Sequence, residues 1–531
     1  MHDPDPRRRF MSGLLALGGA SLASAAQSGP SPATSGPHIF DVTANGSRGD
    51  GATLNTAALQ NTIDACAAAG GGTVYFPPGR FLSGTLILRS HVTLYLEAGA
   101  VLLGSRNLVD YPSTIPQLRS YADVYTERSL LFAEGAENIA IHGRGTIDGQ
   151  GAAFHGPHKV RPFLIRLINC RDVSIRDIRL RDAAMWTLHL LACDDVAVDG
   201  ISLHSRVNPN NDGIDVDSCR FVRIANCDIS TIDDCIVLKS CINRPCQEIA
   251  VSNCTLSTNC SALKLGTESV AGFDNIAFSN CTIYDTHVAG IDLLCVDGGM
   301  LERVTVSNIV MRNVTVPIFV RLGDRGRPVF STDPRPGLGR MRDVRIANID
   351  AVASGANGCL VSGIPTRSIE RLTLEGIRIA FPGGGTQADA AREVPEIPDA
   401  YPVVDRFGVM PAFGLFCRHI EGLTLRDISL RTEKPDPRPA IACDDVAGLS
   451  VNGCDFASTG PAAPPLALRD VRETLVSNCR STSEAVALAK LSGARTSRVS
   501  LIGNHLARES KPAIADADVA PGALYLASNR D

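Results

Sequence analysis

Along most of the chain, apolar and polar residues alternate in short runs, as in a strand with one buried face. The runs are also copies of one another. VRIANCDIS, IAVSNCTLS, IAFSNCTIYD and VTVSNIVMRN share one pattern, and their asparagines Asn226, Asn253, Asn280 and Asn308 lie 27, 27 and 28 residues apart. Weaker copies precede them (VSIRDIRLRD, VAVDGISLHS) and follow them (VRIANIDAV, LTLEGIRIA, LTLRDISLR, LSVNGCDFA). A period of 20–30 residues means stacked coils. Leucine-rich repeats share that period but need a leucine–asparagine consensus and usually a helix in each turn. Here the strands are short and β-branched, and Gly, Asn and Asp fill the bends. The pattern predicts an all-β fold, a right-handed parallel β-helix. The recurring asparagine is expected at a bend, its amide bonded to the asparagine above and below or simply tolerating the turn geometry.

Two segments break the pattern. Residues 53–72 carry Leu54, Ala58, Leu59, Ile63 and Cys66 at helical spacing and end in Gly70–Gly72, which predicts an N-terminal capping helix over the exposed edge of the first coil. Residues 382–414, rich in Pro and Gly, are longer than a bend requires and predict a lobe over one face. One β-helix domain is expected over 38–531.

The start of the chain has another logic. Arg7, Arg8 and Arg9 precede Phe10, a short apolar run and small residues ending ASAA. This is the layout of a cleavable export signal of the twin-arginine type, here 1–26 with cleavage near Ala25 or Ala26 and a linker over 27–37. The expected location is periplasmic or secreted, and no stretch is long enough for a membrane span. Charge adds little: 51 Lys+Arg against 56 Asp+Glu, with no basic stripe to suggest nucleic acid. Seventeen cysteines suit an oxidising compartment, but the number is odd. Cys227, Cys254 and Cys281 each follow a repeat asparagine, which suits small side chains in a buried stack. Pairing of Cys241 with Cys246 stays open. No zinc pattern appears, and no cofactor is expected.

Aligning the repeats places side chains in columns. Ile165, Leu188, Ile214, Ile236, Leu263 and Ile291 recur at the turn period and are expected inward. Their successors must then point outward: Arg166, His189, Asp215, Val237, Lys264 and Asp292. Two positions further on come Ile168, Leu191, Asp217, Lys239, Gly266 and Leu294, with Arg321 close to the stripe. Asp212 in NNDGID and the pair Asp233–Asp234 in DDC fall at the entrances to adjacent strands. Five carboxylates distant along an extended chain thus converge on two neighbouring turns. Such crowding costs Coulomb repulsion that a plain solvated face would avoid. It also drives carboxyl pKa values apart, so one acid holds a proton while another stays ionised, as glycoside cleavage requires. A gap of about 6.5–9.5 Å between them admits a water and inverts the anomeric centre.

These residues resemble glycoside hydrolase family 28, the polygalacturonase and rhamnogalacturonan hydrolase family. FDVTANGSRGDGATLNTAALQNTIDACAAAGGGTVYFPPGRF is similar to the family's N-terminal start. NNDGID resembles its Asn-Thr-Asp-Gly motif, with Asn211 where Thr is usual, DDC matches its aspartate pair, and CSALKLGTES resembles the segment leading to Ile-Gly-Ser. The resemblance covers roughly 38–460. It implies inverting hydrolysis with Asp233 as general acid, and Asp212 and Asp234 activating the water. Two motifs are missing. Asn259, Cys260 and Ser261 stand where Gly-His-Gly is usual. Asp292, Leu293 and Leu294 replace the Arg-Ile-Lys that grips a galacturonate carboxylate.

The expected substrate is therefore a pectin-related oligo- or polysaccharide of different shape, a rhamnogalacturonan fragment or a terminal uronide. Its expected contacts are Arg166, His189, Asp215, Lys239, Lys264, Asp292 and Arg321. Trp186 is either a sugar platform or a core anchor. Tyr401, Phe407, Phe413, Arg418 and His419, in or after the lobe, are placed to close one end of the cleft and make the enzyme exo-acting. Two rival functions share the fold: a polysaccharide lyase using Ca²⁺ on the aspartates, and a non-catalytic glycan-binding solenoid. A monomer is expected.

Overall fold

Strands of three to seven residues recur in sets of three: Phe163–Ile168, Arg171–Arg176 and Arg179–Arg181, then Leu188–Leu191, Asp194–Asp199 and Ser202–Ser205. Each pairs in parallel with its counterpart one turn on. A chain that closes a bend three times per turn and always returns above itself is a parallel β-helix. This computed structural model describes residues 38–457, 463–482 and 485–530. The expected export signal and linker lie outside the described residues. Residues from His38 onward group as one unit.

The predicted register holds. Ile165 pairs with Leu188, Leu188 with Ile214, Ile214 with Ile236, Ile236 with Leu263, and Leu263 with Ile291. All six are completely buried. Burying such a side chain is worth about 1.5–3 kcal/mol, and truncating one to Ala costs about 2–5 kcal/mol. The bends are held by the recurring asparagines. Asn226, Asn253, Asn280 and Asn308 all have φ between 56° and 59°, in the left-handed region. Asn253 donates to Asn226 Oδ1 at 3.3 Å and Asn308 to Asn280 Oδ1 at 3.0 Å, so turn tolerance and amide laddering occur together. The stacked cysteines are buried, and all seventeen cysteines, Cys241 and Cys246 included, are free thiols.

The helix spans Thr56–Ala68, shorter than the predicted 53–72, and buries Leu59, Ile63 and Cys66 in the main core. Leu54 is not on it: it ends the strand Asp50–Leu54 and is half-exposed. The segment 382–414 is anchored by apolar packing. Val394, Val404, Phe407, Met410 and Ala412 sit on Leu294, Phe319, Leu360 and Phe416 of successive strands.

One predicted register fails. After Leu238↔Leu265 the pairing resumes only at Ser240↔Ser269. One residue, Lys239, therefore faces three, Gly266, Thr267 and Glu268. The column expected to run from Lys239 to Gly266 is broken by this bulge. Among the described residues, no helix is long and apolar enough to cross a membrane.

Candidate active site

Two chain reversals, one turn apart, present the acids. One delivers Asp212 into the strand Ile214–Asp217, the next delivers Asp233 and Asp234 into Ile236–Ser240. Gly213 N–H donates to the Asp234 carbonyl at 2.8 Å, and Thr187 N–H to the Asp212 carbonyl at 2.8 Å. Gly213 is required by space: a Cβ there would lie 2.4 Å from the Cys235 carbonyl oxygen. The hydroxyls of Thr231 and Thr258 both donate to the Asp233 carbonyl, pinning the reversal between them.

Two lysines separate the carboxylates. Lys239 Nζ lies 3.3 Å from Asp212 Oδ2 and 2.9 Å from Asp215 Oδ1. Lys264 Nζ lies 2.9 Å from Asp234 Oδ2, and the Ser261 N–H donates to Asp234 Oδ1 at 3.2 Å. Asp233 is the half-buried member, receiving only Asn210 Nδ2 at 3.3 Å on Oδ2 and the Asp234 N–H at 3.0 Å on Oδ1 among the described residues.

The environments differ in sign. Burial, then Asp233 and Asp215, push the Asp212 carboxyl well above the usual range, against the pull of Lys239. Burial also pushes Asp234 up, but Lys264 and Lys239 more than offset it, and the net direction is down. Asp215 is raised by burial to about 7 despite Lys239. Both lysines are pressed down by burial, yet the carboxylates around them carry both well above the ordinary ammonium value. The cluster therefore contains a carboxyl that favours its proton beside one that favours its charge.

These groups open into a pocket of about 130 Å³. Asp212, Asp233, Asp234, Lys239 and Lys264 line it, with Trp186, whose ring lies 4.5 Å from Lys239 Nζ. Tyr125, Met185, Asn210, Thr267, Glu268 and Arg327, outside the expected contacts, also line it, as does Cys260 at the missing histidine position. Thr267 and Glu268 are there because the bulge adds residues to their turn. The alternation rule assumes an unbroken strand and could not place them. Tyr125 and Arg327 come from non-repeating loops. Tyr401, from the 382–414 segment, also lines the pocket, and its hydroxyl lies 3.0 Å from Thr267 Oγ1. Cys260, at the missing histidine position, is a thiol whose pKa is raised by burial and then by Asp234, so it supplies no imidazole-like base.

The other expected contacts are in register but covered. Arg166 pairs with His189, His189 with Asp215, and Lys264 with Asp292, yet Arg166, His189, Asp215 and Asp292 do not line the pocket. Arg166 is buried and donates to Asp123 Oδ1 at 2.6 Å. His189 is wholly buried, under Trp186 and Phe163, with Nε2 3.6 Å from Asp217 Oδ2. Asp215 lies beneath Lys239. Asp292 accepts from Ser261 Oγ at 2.8 Å and is raised by burial to about 7. Arg321 donates to Ser362 Oγ at 2.8 Å and to the Glu396 carbonyl at 2.6 Å, tying down the 382–414 segment. Alternation points these side chains outward on their turns, but segments arriving from elsewhere cover most of the stripe. Phe407 and Phe413 are core residues, and Arg418 and His419 bond to the segment at Val394, Pro395 and Glu396, so none of the four lines the pocket.

A family model described as Glycosyl hydrolases family 28 matches residues 116–396. A probable polygalacturonase of Vitis vinifera is 37% identical over 221 residues, 38% of this chain and 44% of that one. An exo-poly-alpha-D-galacturonosidase of Dickeya chrysanthemi is 42% identical over 126 residues, 22% of this chain and 20% of that one. The chain thus spans less than half the length of these curated relatives. A family 28 exopolygalacturonase of Yersinia enterocolitica superposes with a TM-score of 0.60 at 19% identity, covering 83% of this chain and 78% of that one, which supports the fold.

Proposed function

The chain belongs to glycosyl hydrolase family 28, and on that premise we propose that it is an inverting, exo-acting hydrolase that removes a terminal uronosyl residue from a pectin-related saccharide. The observation that carries this reading is the division of labour among three carboxylates around one small pocket. Lys264 and the Ser261 N–H engage both oxygens of Asp234 and favour its ionised form, suited to draw a proton from water. Asp212, buried and beside Asp233 and Asp215, is the carboxyl pushed toward its protonated form. Asp233, half-buried and loosely held, is the acid that meets the leaving oxygen. As the glycosidic bond breaks, Asp233 protonates the departing oxygen and water, losing a proton to Asp234, bonds to the anomeric carbon from the other face.

The pocket's size supports exo action. A volume of about 130 Å³ is below the roughly 300–1,000 Å³ of pockets for drug-sized ligands and suits one terminal ring. Tyr125, Tyr401 and Arg327, from outside the repeating strands, line it. A lyase is disfavoured: Lys264 Nζ, 2.9 Å from Asp234 Oδ2, already neutralises a carboxylate that a Ca²⁺ would have to recruit. The pattern of Arg7–Arg9, Phe10 and the apolar run after them resembles a twin-arginine leader, which supports action in the periplasm or outside the cell.

The test is digestion of saturated pectic oligosaccharides of defined length by wild type and Asp233→Asn, followed by chromatography and NMR of the fresh product. Single monosaccharide release with inverted anomer, reduced about 10²-fold or more in the variant, is expected. Mixed internal fragments would overturn exo action; unsaturated products would overturn hydrolysis.

A further inference from the structure

The positions that should grip a uronate carboxylate do not reach the pocket. Asp292 is bonded to Ser261, and Leu294 is wholly buried against the 382–414 segment. The other cations expected to compensate are committed. Arg166 and Arg321 lie under loops they help to hold. Lys239 and Lys264 line the pocket, but each is almost fully buried and is the counter-ion of the acids at work. Drawing either toward a substrate carboxylate would strip charge compensation from Asp212 or Asp234.

One lining cation is held differently. Arg327 follows the strand Met300–Leu322 on a loop, its backbone N–H donating to Asp297 Oδ1 at 2.9 Å. Its guanidinium lies 4.0 Å from the centre of the Tyr121 ring. Nη1 donates to Glu268 Oε1 at 2.8 Å, and the side chain is 32% exposed. A guanidinium has five N–H donors in a planar fork, and the Glu268 bond uses one. Its seat over the Tyr121 ring restrains the guanidinium, which lowers the ordering cost of a two-pronged bond to a carboxylate. Glu268 would not be stranded if Arg327 turned to a ligand: Arg325 stands 3.7 Å from the same oxygen.

We propose that Arg327 is the specificity-determining residue for a substrate carboxylate, and that Glu268 is its resting partner, displaced in part when the carboxylate arrives. This rests on the uronosyl reading above. Glu268 belongs to the bulge at 266–268, which sets it 2.8 Å from Arg327.

The experiment compares a galacturonosyl oligosaccharide with its methyl ester, using wild type, Arg327→Leu, Arg327→Lys and Glu268→Gln, alongside calorimetric binding of both compounds to Asp233→Asn with and without Arg327→Leu. For the free acid, Arg327→Leu should raise KM and weaken calorimetric binding about 10- to 100-fold, with kcat changed much less. The ester should respond little. Arg327→Lys should recover part of the loss, and Glu268→Gln should lower KM for the free acid, whereas a merely structural ion pair would raise it. Equal losses on acid and ester, or no loss, overturn the proposal. If wild type hydrolyses neither compound but calorimetry shows acid-selective binding through Arg327, the proposed reaction fails and this inference stands. If wild type hydrolyses the acid and Arg327→Leu matches it, the inference fails and the reaction stands. Binding of neither compound overturns both.

Discussion

Lys239 and Asp212 are 27 positions apart in sequence, yet Nζ and Oδ2 lie 3.3 Å apart across one turn of the helix. The same ammonium contacts Asp215 at 2.9 Å, so a single buried cation lets two acids share a small volume. Taking a charge out of water is costly unless its partners stay in place, which makes this pairing sensitive to either member.

Lys239→Met should cut kcat about 10²-fold and move the acid limb of the pH–rate profile to higher pH. The sign follows from Asp234. Lys264 and Lys239 are what bring its carboxyl below the ordinary value against burial. With one of them gone, Asp234 takes up its proton at higher pH and stops acting as base. A pH series of kcat/KM on a pectic oligosaccharide checks this.

Asp292→Asn should stabilise the fold increasingly as pH rises. Burial lifts the folded-state pKa of Asp292 to about 7, above the unfolded value of about 3.9. The native protein then binds more protons than the unfolded chain between these values, so the Asp292 contribution is full below the unfolded pKa and is lost as pH rises through the folded one. The melting difference between variant and wild type should be small at pH 4 and larger at pH 8, on the order of 1–4 kcal/mol. A constant difference across that range would contradict the burial of a charged form.

Asn280→Ala should destabilise by about 1 kcal/mol. Asn280 sits at φ 56° and accepts from Asn308 Nδ2 at 3.0 Å. Alanine loses the ladder bond and strains the left-handed bend, whereas Asn280→Gly loses only the bond. Denaturant midpoints should rank wild type, then Gly, then Ala.

Arg321→Met should loosen the 382–414 segment without removing a sugar contact. Its guanidinium bonds to Ser362, Gly363 and Glu396, linking strand to segment. Limited proteolysis within 382–414 should quicken about tenfold or more, for a local opening made easier by roughly 1.4 kcal/mol. KM should move only as far as Tyr401 is displaced. A large KM effect with unchanged proteolysis would restore Arg321 to the substrate.

Asp212, Asp233 and Asp234 were legible because each stands at a fixed offset from a repeat residue, and successive turns bond in parallel. Glu268 was not legible: its place depends on a bulge that disturbs the alternation. Arg327 and Tyr125 were missed because loops carry no period.

The sequence by itself determined the winding: which residues stack inward, where the left-handed bends fall, and that the acids meet on adjacent turns. Those features are coded by nearest-neighbour hydrogen bonding between repeats, so a local pattern is enough. Only the tertiary structure decided which outward residues stay open to a ligand. Arg166, His189 and Arg321 share the acids' face, but loops around Asp123 and Glu396 cover the two arginines, and Trp186 and Phe163 cover His189. That covering depends on contacts between segments far apart in the chain, which no repeat encodes.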